Sequence, residues 1–147
     1  MSENIHATGL VLGETGLILR GPSGAGKSLL ALTLLDHFEA RNQPAFLVSD
    51  DRIDIAAVDG GLIMSAPKAI EGLIELRGRG IVRRPFRPSA PLHLVVDLVD
   101  HYERLVEENE LRTELLGVSV ARCPVPRLGL IDLTHQGLLI REAINAL

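Results

Sequence analysis

Gly21–Ser28 reads GPSGAGKS and fits the spacing G-x-x-x-x-G-K-[ST]. The chemistry this set suits is the handling of a polyphosphate. Backbone N–H groups of the Gly21–Gly26 segment would form an anion nest at the start of the following helix, where the helix dipole favours negative charge. Its glycines let the backbone approach phosphate oxygens and adopt positive φ. Lys27 would bridge β- and γ-phosphates, and the Ser28 hydroxyl would ligate Mg²⁺. Gly21, Pro22, Ser23, Gly24, Ala25, Gly26, Lys27 and Ser28 are therefore the candidate nucleotide-binding residues, and a nucleoside triphosphate is the expected ligand.

Two acidic strand ends compete for the next role. Ala45–Val48 runs into Asp50-Asp51, and Leu92–Val96 runs into Asp97. LHLVVD is the better pattern match to an apolar strand ending in a metal-coordinating aspartate, but acidic residues also follow strands as turn formers, so both stay open. Neighbouring strand residues point to opposite faces, so Asp50 and Asp51 are expected to do different jobs. Third comes an arginine cluster: Arg77, Arg79, Arg83, Arg84 and Arg87 fall within eleven residues, directly after Glu75. A nucleic-acid patch, a solvated loop and a phosphate-handling loop all fit that composition.

The elements that must position these groups can be read around them. Ile5–Leu12 and Leu17–Arg20 read as strands joined at Gly13–Gly16. Leu29–Glu39 reads as a helix apolar nearly all round, hence largely buried. Ala45–Val48 is a short buried strand, and Arg52–Ile63 gives two strands turning at Asp59-Gly60-Gly61. Ile70–Glu75 starts a short helix or strand. Leu92–Val99 is another buried strand, and Tyr102–Leu115 is charged and partly helical. Val118–Val120 and Pro124–Leu128 are extended pieces, and Leu130–Leu147 closes the chain as an amphipathic helix. With no internal repeat and no low-complexity linker, residues 1–147 read as one mixed α/β domain.

Composition narrows the classes. The chain has 147 residues, net charge −4, 46% hydrophobic and 23% charged residues, with one Tyr, three Phe and no Trp, so its core is built from Leu, Ile, Val and Ala. An acidic chain with one local arginine cluster fits poorly with nucleic-acid binding. The single cysteine, Cys123, forms no internal disulfide and suits a reducing, cytoplasmic compartment. The N-terminus lacks a signal-peptide pattern, and no apolar run reaches the roughly 18–20 residues of a membrane span. The lysines are Lys27 and Lys68 alone, so the N-K-x-D base-reading motif of GTPases is absent, as are H-R-D and D-F-G.

Glu75-Leu76-Arg77-Gly78-Arg79-Gly80-Ile81, taken with GPSGAGKS and Asp50-Asp51, resembles the catalytic C-terminal domain of the HPr kinase/phosphorylase family. Ile5-His6 and Glu103-Arg104-Leu105 resemble two further segments of that family, and the likeness runs from about His6 to Arg104. It implies a P-loop α/β fold related to phosphoenolpyruvate carboxykinase, and ATP- and Mg²⁺-dependent phosphorylation of a serine of HPr or an HPr-like carrier of the sugar phosphotransferase system. It further implies catalytic roles for His6, Lys27, Asp50, Asp51, Arg77 and Arg104. Asp50 would be the general base, Asp51 would orient His6 or a metal-bound water, and Ser28 with Glu75 would hold Mg²⁺. Arg77 and Arg104 would meet the transferring phosphoryl group, while Gly78 and Gly80 would let the loop reach the acceptor. Arg79, Arg83, Arg84 and Arg87 would either dock an acidic protein surface or form a solvated loop. Homo-oligomers, typically hexamers, are implied as well. With five residues before His6, the family's N-terminal domain is expected to be missing, and Pro124–Gly129 does not reproduce the run associated with reverse phosphorolysis. The remaining alternatives are a kinase of another protein or of a small molecule, and a nucleotide sensor without chemistry.

Overall fold

The apolar runs assemble around one six-stranded sheet in the computed structural model, which describes residues 1–147. In chain order the strands are β1 (Ser2–Ile5), β2 (Ala7–Leu12), β3 (Thr15–Arg20), β4 (Ala45–Ser49), β5 (Ile53–Val58) and β6 (Gly61–Ser65). They continue with β7 (Leu73–Leu76), β8 (Gly80–Arg83), β9 (Ser89–Pro91), β10 (Leu94–Val99), β11 (Arg112–Leu115) and β12 (Val118–Pro126). The helices are α1 (Lys27–Glu39) and α2 (Leu133–Asn145). The large sheet has the order β11-β12-β10-β3-β2-β4, an antiparallel sheet has the order β1-β5-β6-β9, and β7-β8 is a separate hairpin.

Alternation along the central strands sorts side chains into two cores. Leu10 and Leu12 of β2, Leu17 and Leu19 of β3, and Leu94, Val96 and Leu98 of β10 pack with the helices. Ala7 and Val11, Ile18, and Val95 turn to the other face and pack with the second sheet. Burying each large aliphatic side chain contributes about 1.5–3 kcal/mol. Helix α1 buries Leu30, Ala31, Leu32, Leu34, Leu35 and Phe38, as its all-round apolar composition predicts. The mixed α/β expectation holds, and no helix is long and apolar enough to cross a membrane.

Several boundaries differ from the sequence reading. Leu92-His93 lies outside β10 because these residues carry the chain between the sheets: the Leu92 amide donates to Leu62 and the His93 amide to Gly16. Tyr102–Leu115 is mostly loop, with a single 3₁₀ turn at Glu108–Leu111 closed by a Glu107–Glu110 capping box, and then β11. The pieces Val118–Val120 and Pro124–Leu128 join, as far as Pro126, in one strand, β12. Its prolines are tolerated because β11 pairs only with Val118–Ala121, leaving Pro124 and Pro126 with a neighbour on the β10 side alone. Helix α2 starts at Leu133, where the Asp132 carboxylate accepts the His135 amide, 2.9 Å away, as an N-cap.

Strands β3, β10 and β12 run parallel. The loops that follow them, Gly21–Gly26, residues 100–111 and Arg127–Asp132, therefore leave from the same edge of the sheet. Crevices beyond the carboxyl ends of such strands are where α/β sheets bind ligands.

Candidate active site: a phosphate loop, two aspartates and a glycine-rich hairpin

The loop from β3 to α1 is built around two glycines with left-handed backbone, Gly24 (φ 85°) and Gly26 (φ 92°). The Ala25 amide closes a turn onto Pro22, 3.0 Å away. Helix α1 begins with no side-chain cap and no acidic residue in its first turn, so its N-terminal amides are open to an anion. Lys27 is only 6% exposed, and its ammonium donates to the loop's own carbonyls, Gly21 at 2.8 Å and Pro22 at 3.3 Å. It also lies 3.7 Å from an Asp51 carboxylate oxygen.

Asp50 is held from three sides. Its Oδ1 accepts from Thr8 Oγ1 at 3.0 Å and from Ser28 Oγ at 2.8 Å, while Oδ2 accepts the Glu75 amide at 3.1 Å. Asp51 has φ 64°, and the Arg52 amide donates across it to the Asp50 carbonyl at 2.8 Å. This is an i→i+2 turn of the rarer, strained hand, the kind of strain that collects at working sites. Continued strand alternation therefore does not separate the two aspartates, because β4 has ended at Ser49. The turn separates them, and both line one groove.

That groove encloses about 390 Å³, and Lys27, Ser28, Asp50, Asp51, Glu75 and Arg77 converge on it. Glu75 is an exposed residue within β7, and Arg77 sits at the tip of the β7-β8 hairpin beside Gly78 (φ 92°) and Gly80 (φ 114°). The hydroxyl and carboxylate oxygens among the lining residues suit a hard divalent cation, and the amides and cations of the phosphate loop suit a polyphosphate. The residues present thus fit both groups.

Other candidates sit elsewhere. His6 is exposed between β1 and β2, and no hydrogen bond joins it to Asp51; the Asp51 amide donates instead to Thr8 Oγ1, 3.1 Å away. Arg104 is exposed on the β10–β11 loop and lines a separate cleft with Glu103, Glu110 and His135. Asp97 lies within β10 and is engaged by two guanidiniums. Arg20 reaches it at 2.7 and 2.9 Å, and Arg122 at 2.6 Å. Burial pushes the Asp97 carboxyl up, but hydrogen bonds from Arg20 and Arg122 and their charge outweigh it and hold the group below the usual carboxylate range. Of the two acidic strand ends, Asp50-Asp51 is the one at the phosphate loop.

The arginine cluster divides. Arg77 lines the groove, and Arg87 stacks over the Phe46 ring at 4.4 Å while its amide pairs with Leu47. Arg84 is half-buried and donates to the Arg83 carbonyl. Arg79 and Arg83 are exposed and form no ion pair. Sequence reasoning missed Thr8, and it missed Arg20 and Arg122 as the partners that occupy Asp97. The available signal for Thr8 was a lone hydroxyl residue inside the apolar run Ala7–Leu12, where a buried polar group must find a partner.

The chain is similar to known proteins over most of its length. The model of the family described as HPr Serine kinase C-terminal domain matches residues 1–134. A relative from Clostridium botulinum (strain Eklund 17B / Type B) named HPr kinase/phosphorylase is 31% identical over 133 residues, covering 83% of this chain and 42% of its own length. One of the same name from Mycoplasma mycoides subsp. mycoides SC is 28% identical over 134 residues, covering 82% and 41%. The chain thus spans about two-fifths of the length of these curated relatives. The solved structure of the Hpr(Ser) kinase/phosphatase from Coxiella burnetii superposes with a TM-score of 0.77 at 27% identity, over 98% of this chain and 97% of that one.

Proposed function

The chain belongs to the HPr serine kinase C-terminal domain family, and on that premise we propose that residues 1–147 act as one ATP-binding catalytic domain that phosphorylates a serine of HPr or an HPr-like phosphocarrier. The observation that carries this reading is the Ser28 hydroxyl bonded to the Asp50 carboxylate in the groove that Lys27, Glu75 and Arg77 also line.

The residues take complementary parts. The Gly21–Gly26 amides and Lys27 would bind the ATP phosphates and fix the γ-phosphoryl group in line with the acceptor. Ser28 and Glu75 would hold Mg²⁺, which when bound supplies positive charge against the phosphate oxygens. Asp50 would take the proton of the acceptor hydroxyl as the serine oxygen bonds to phosphorus and the bond to ADP breaks. Three donors fix the orientation of its carboxylate for that task. Arg77 would offer a planar donor pair to the phosphoryl oxygens, and exposed Arg79 and Arg83 would meet an acidic face of the carrier. His6 and Arg104 stand outside the groove and would join only if the segments carrying them close over it.

The Ser28–Asp50 hydrogen bond favours a second assignment within the same activity. Asp50 would then orient the Mg²⁺ shell through Ser28, and the more exposed Asp51 would be the base. Phosphate transfer from radiolabelled ATP to an HPr-type carrier tests the proposal and separates the assignments. If Asp50 is the base, Asp50→Asn abolishes transfer and spares Mg²⁺-dependent nucleotide affinity. If Asp50 serves the metal, that affinity falls too, and Asp51→Asn is the variant that spares it. A protein that binds ATP and transfers to no carrier would be a sensor or would use another acceptor.

A further inference from the structure

The register between β2 and β4 contains one irregularity, and it decides where Asp50 points. Leu12, Val11 and Leu10 lie opposite Ala45, Phe46 and Leu47, but Gly9 lies opposite Ser49. Val48 is therefore an extra residue in β4, a β-bulge. Without it Gly9 would face Val48 and Thr8 would face Ser49, and Asp50 would fall on the face of the second sheet. With it, Leu47 still packs toward the helices and Val48 toward the second sheet, while Asp50 comes opposite Thr8 on the face of the phosphate loop. Gly9, beside the bulge, leaves room for the second sheet. A Cβ there would stand 2.3 Å from Ile53 Cδ1, 3.1 Å from Met64 Sδ and 3.5 Å from Val48 Cβ.

Thr8 is fully buried, and its hydroxyl is engaged on both sides. It donates its only proton to Asp50 Oδ1 and accepts the Asp51 amide, so one atom ties the carboxylate to the strained turn that follows. We propose that Thr8 is the positioning residue for Asp50: the Val48 bulge brings the carboxylate opposite Thr8, and the Thr8 hydroxyl fixes its rotamer between Ser28 and the Glu75 amide. Thr8 touches no substrate and acts through Asp50. The catalytic part of this inference rests on the kinase reading; the positioning part does not.

The Glu75 amide separates the two. It meets Thr8 only through Asp50 Oδ2, so its hydrogen exchange reports whether Asp50 stays in place. In the full chain, Thr8→Val removes the hydroxyl and keeps the shape, and Thr8→Ser restores the hydroxyl. Expected is exchange at Glu75 and Asp51 at least about 5-fold faster in Thr8→Val, with protection at Leu34 in α1 unchanged, and most of the protection regained in Thr8→Ser. In carrier phosphorylation, kcat should fall about 10–100-fold in Thr8→Val with KM for ATP nearly constant. Unchanged Glu75 exchange in Thr8→Val, or equal damage from Thr8→Ser, would overturn the inference; if Thr8→Val fails to fold, Thr8→Ala gives the same comparison. Exchange that responds as expected in a protein without transfer activity would sustain the positioning and reject the kinase reading.

Discussion

Replacing Asp97 by Asn should weaken the fold rather than the metal site, and the size of the effect follows from its surroundings. The carboxylate accepts three charge-assisted bonds of 2.6–2.9 Å from Arg20 and Arg122, which tie β3, β10 and β12 at the edge where the phosphate loop begins. Bonds to charged groups are worth about 1.5–3 kcal/mol each. Asn keeps one acceptor and places an NH₂ against a guanidinium. The side chains are 15% (Asp97), 29% (Arg20) and 20% (Arg122) exposed, so water offsets part of the loss. A net cost of about 2–4 kcal/mol results, at or below that of breaking a fully buried pair. At an m-value of about 2 kcal/mol/M, the urea midpoint at pH 7 should drop by about 1–2 M. The pH dependence has a definite sign. The folded-state pKa of Asp97 is depressed, so its contribution is complete above the unfolded carboxylate pKa of about 3.9 and is lost as pH falls through the folded value. The gap between the two proteins should therefore narrow below about pH 4. Equal midpoints at pH 7, or a gap that stays constant in acid, would refute this reasoning. So would loss of Mg²⁺ dependence without loss of stability, which is what the metal-ligand reading of LHLVVD requires.

Other expectations are simpler. Gly16→Ala would place a Cβ 1.8 Å from the Pro91 carbonyl oxygen, so the sheets must part, and thermal unfolding should show a loss of at least about 2 kcal/mol. Burial pushes the Cys123 thiol up to about 11, so a thiol reagent at pH 8 should label it only as the chain unfolds; rapid labelling of the native protein would contradict its placement. Arg79→Glu with Arg83→Glu should raise KM for an acidic carrier about 10-fold or more at low salt and leave ATP affinity unchanged. Equal KM would turn these residues into a solvated loop.

Elements with a strong period or a punctuating motif were legible in the sequence. The phosphate loop lies where GPSGAGKS puts it, and α1 starts two residues before the apolar run at Leu29 because Lys27 and Ser28 already belong to its first turn. What stayed hidden depends on register. Nothing local to VSDD reveals that Val48 is a bulge, so alternation misassigns Asp50 and Asp51. LHLVVD reads as a metal strand because the guanidiniums that occupy Asp97 come from residues 77 positions before it and 25 after. Tyr102–Leu115 reads as partly helical by composition, yet its end is drawn into the sheet by β12, a tertiary preference that no short window contains.

The most direct measurement is the intact mass of an HPr-type carrier after incubation with this protein, ATP and Mg²⁺, repeated after mild acid treatment and with Asp50→Asn. The account predicts one phosphoryl increment that survives acid, as a serine ester does, and that disappears with Asp50→Asn. A carrier left unmodified by a protein that demonstrably binds ATP, or an increment undiminished in Asp50→Asn and Asp51→Asn alike, would contradict it.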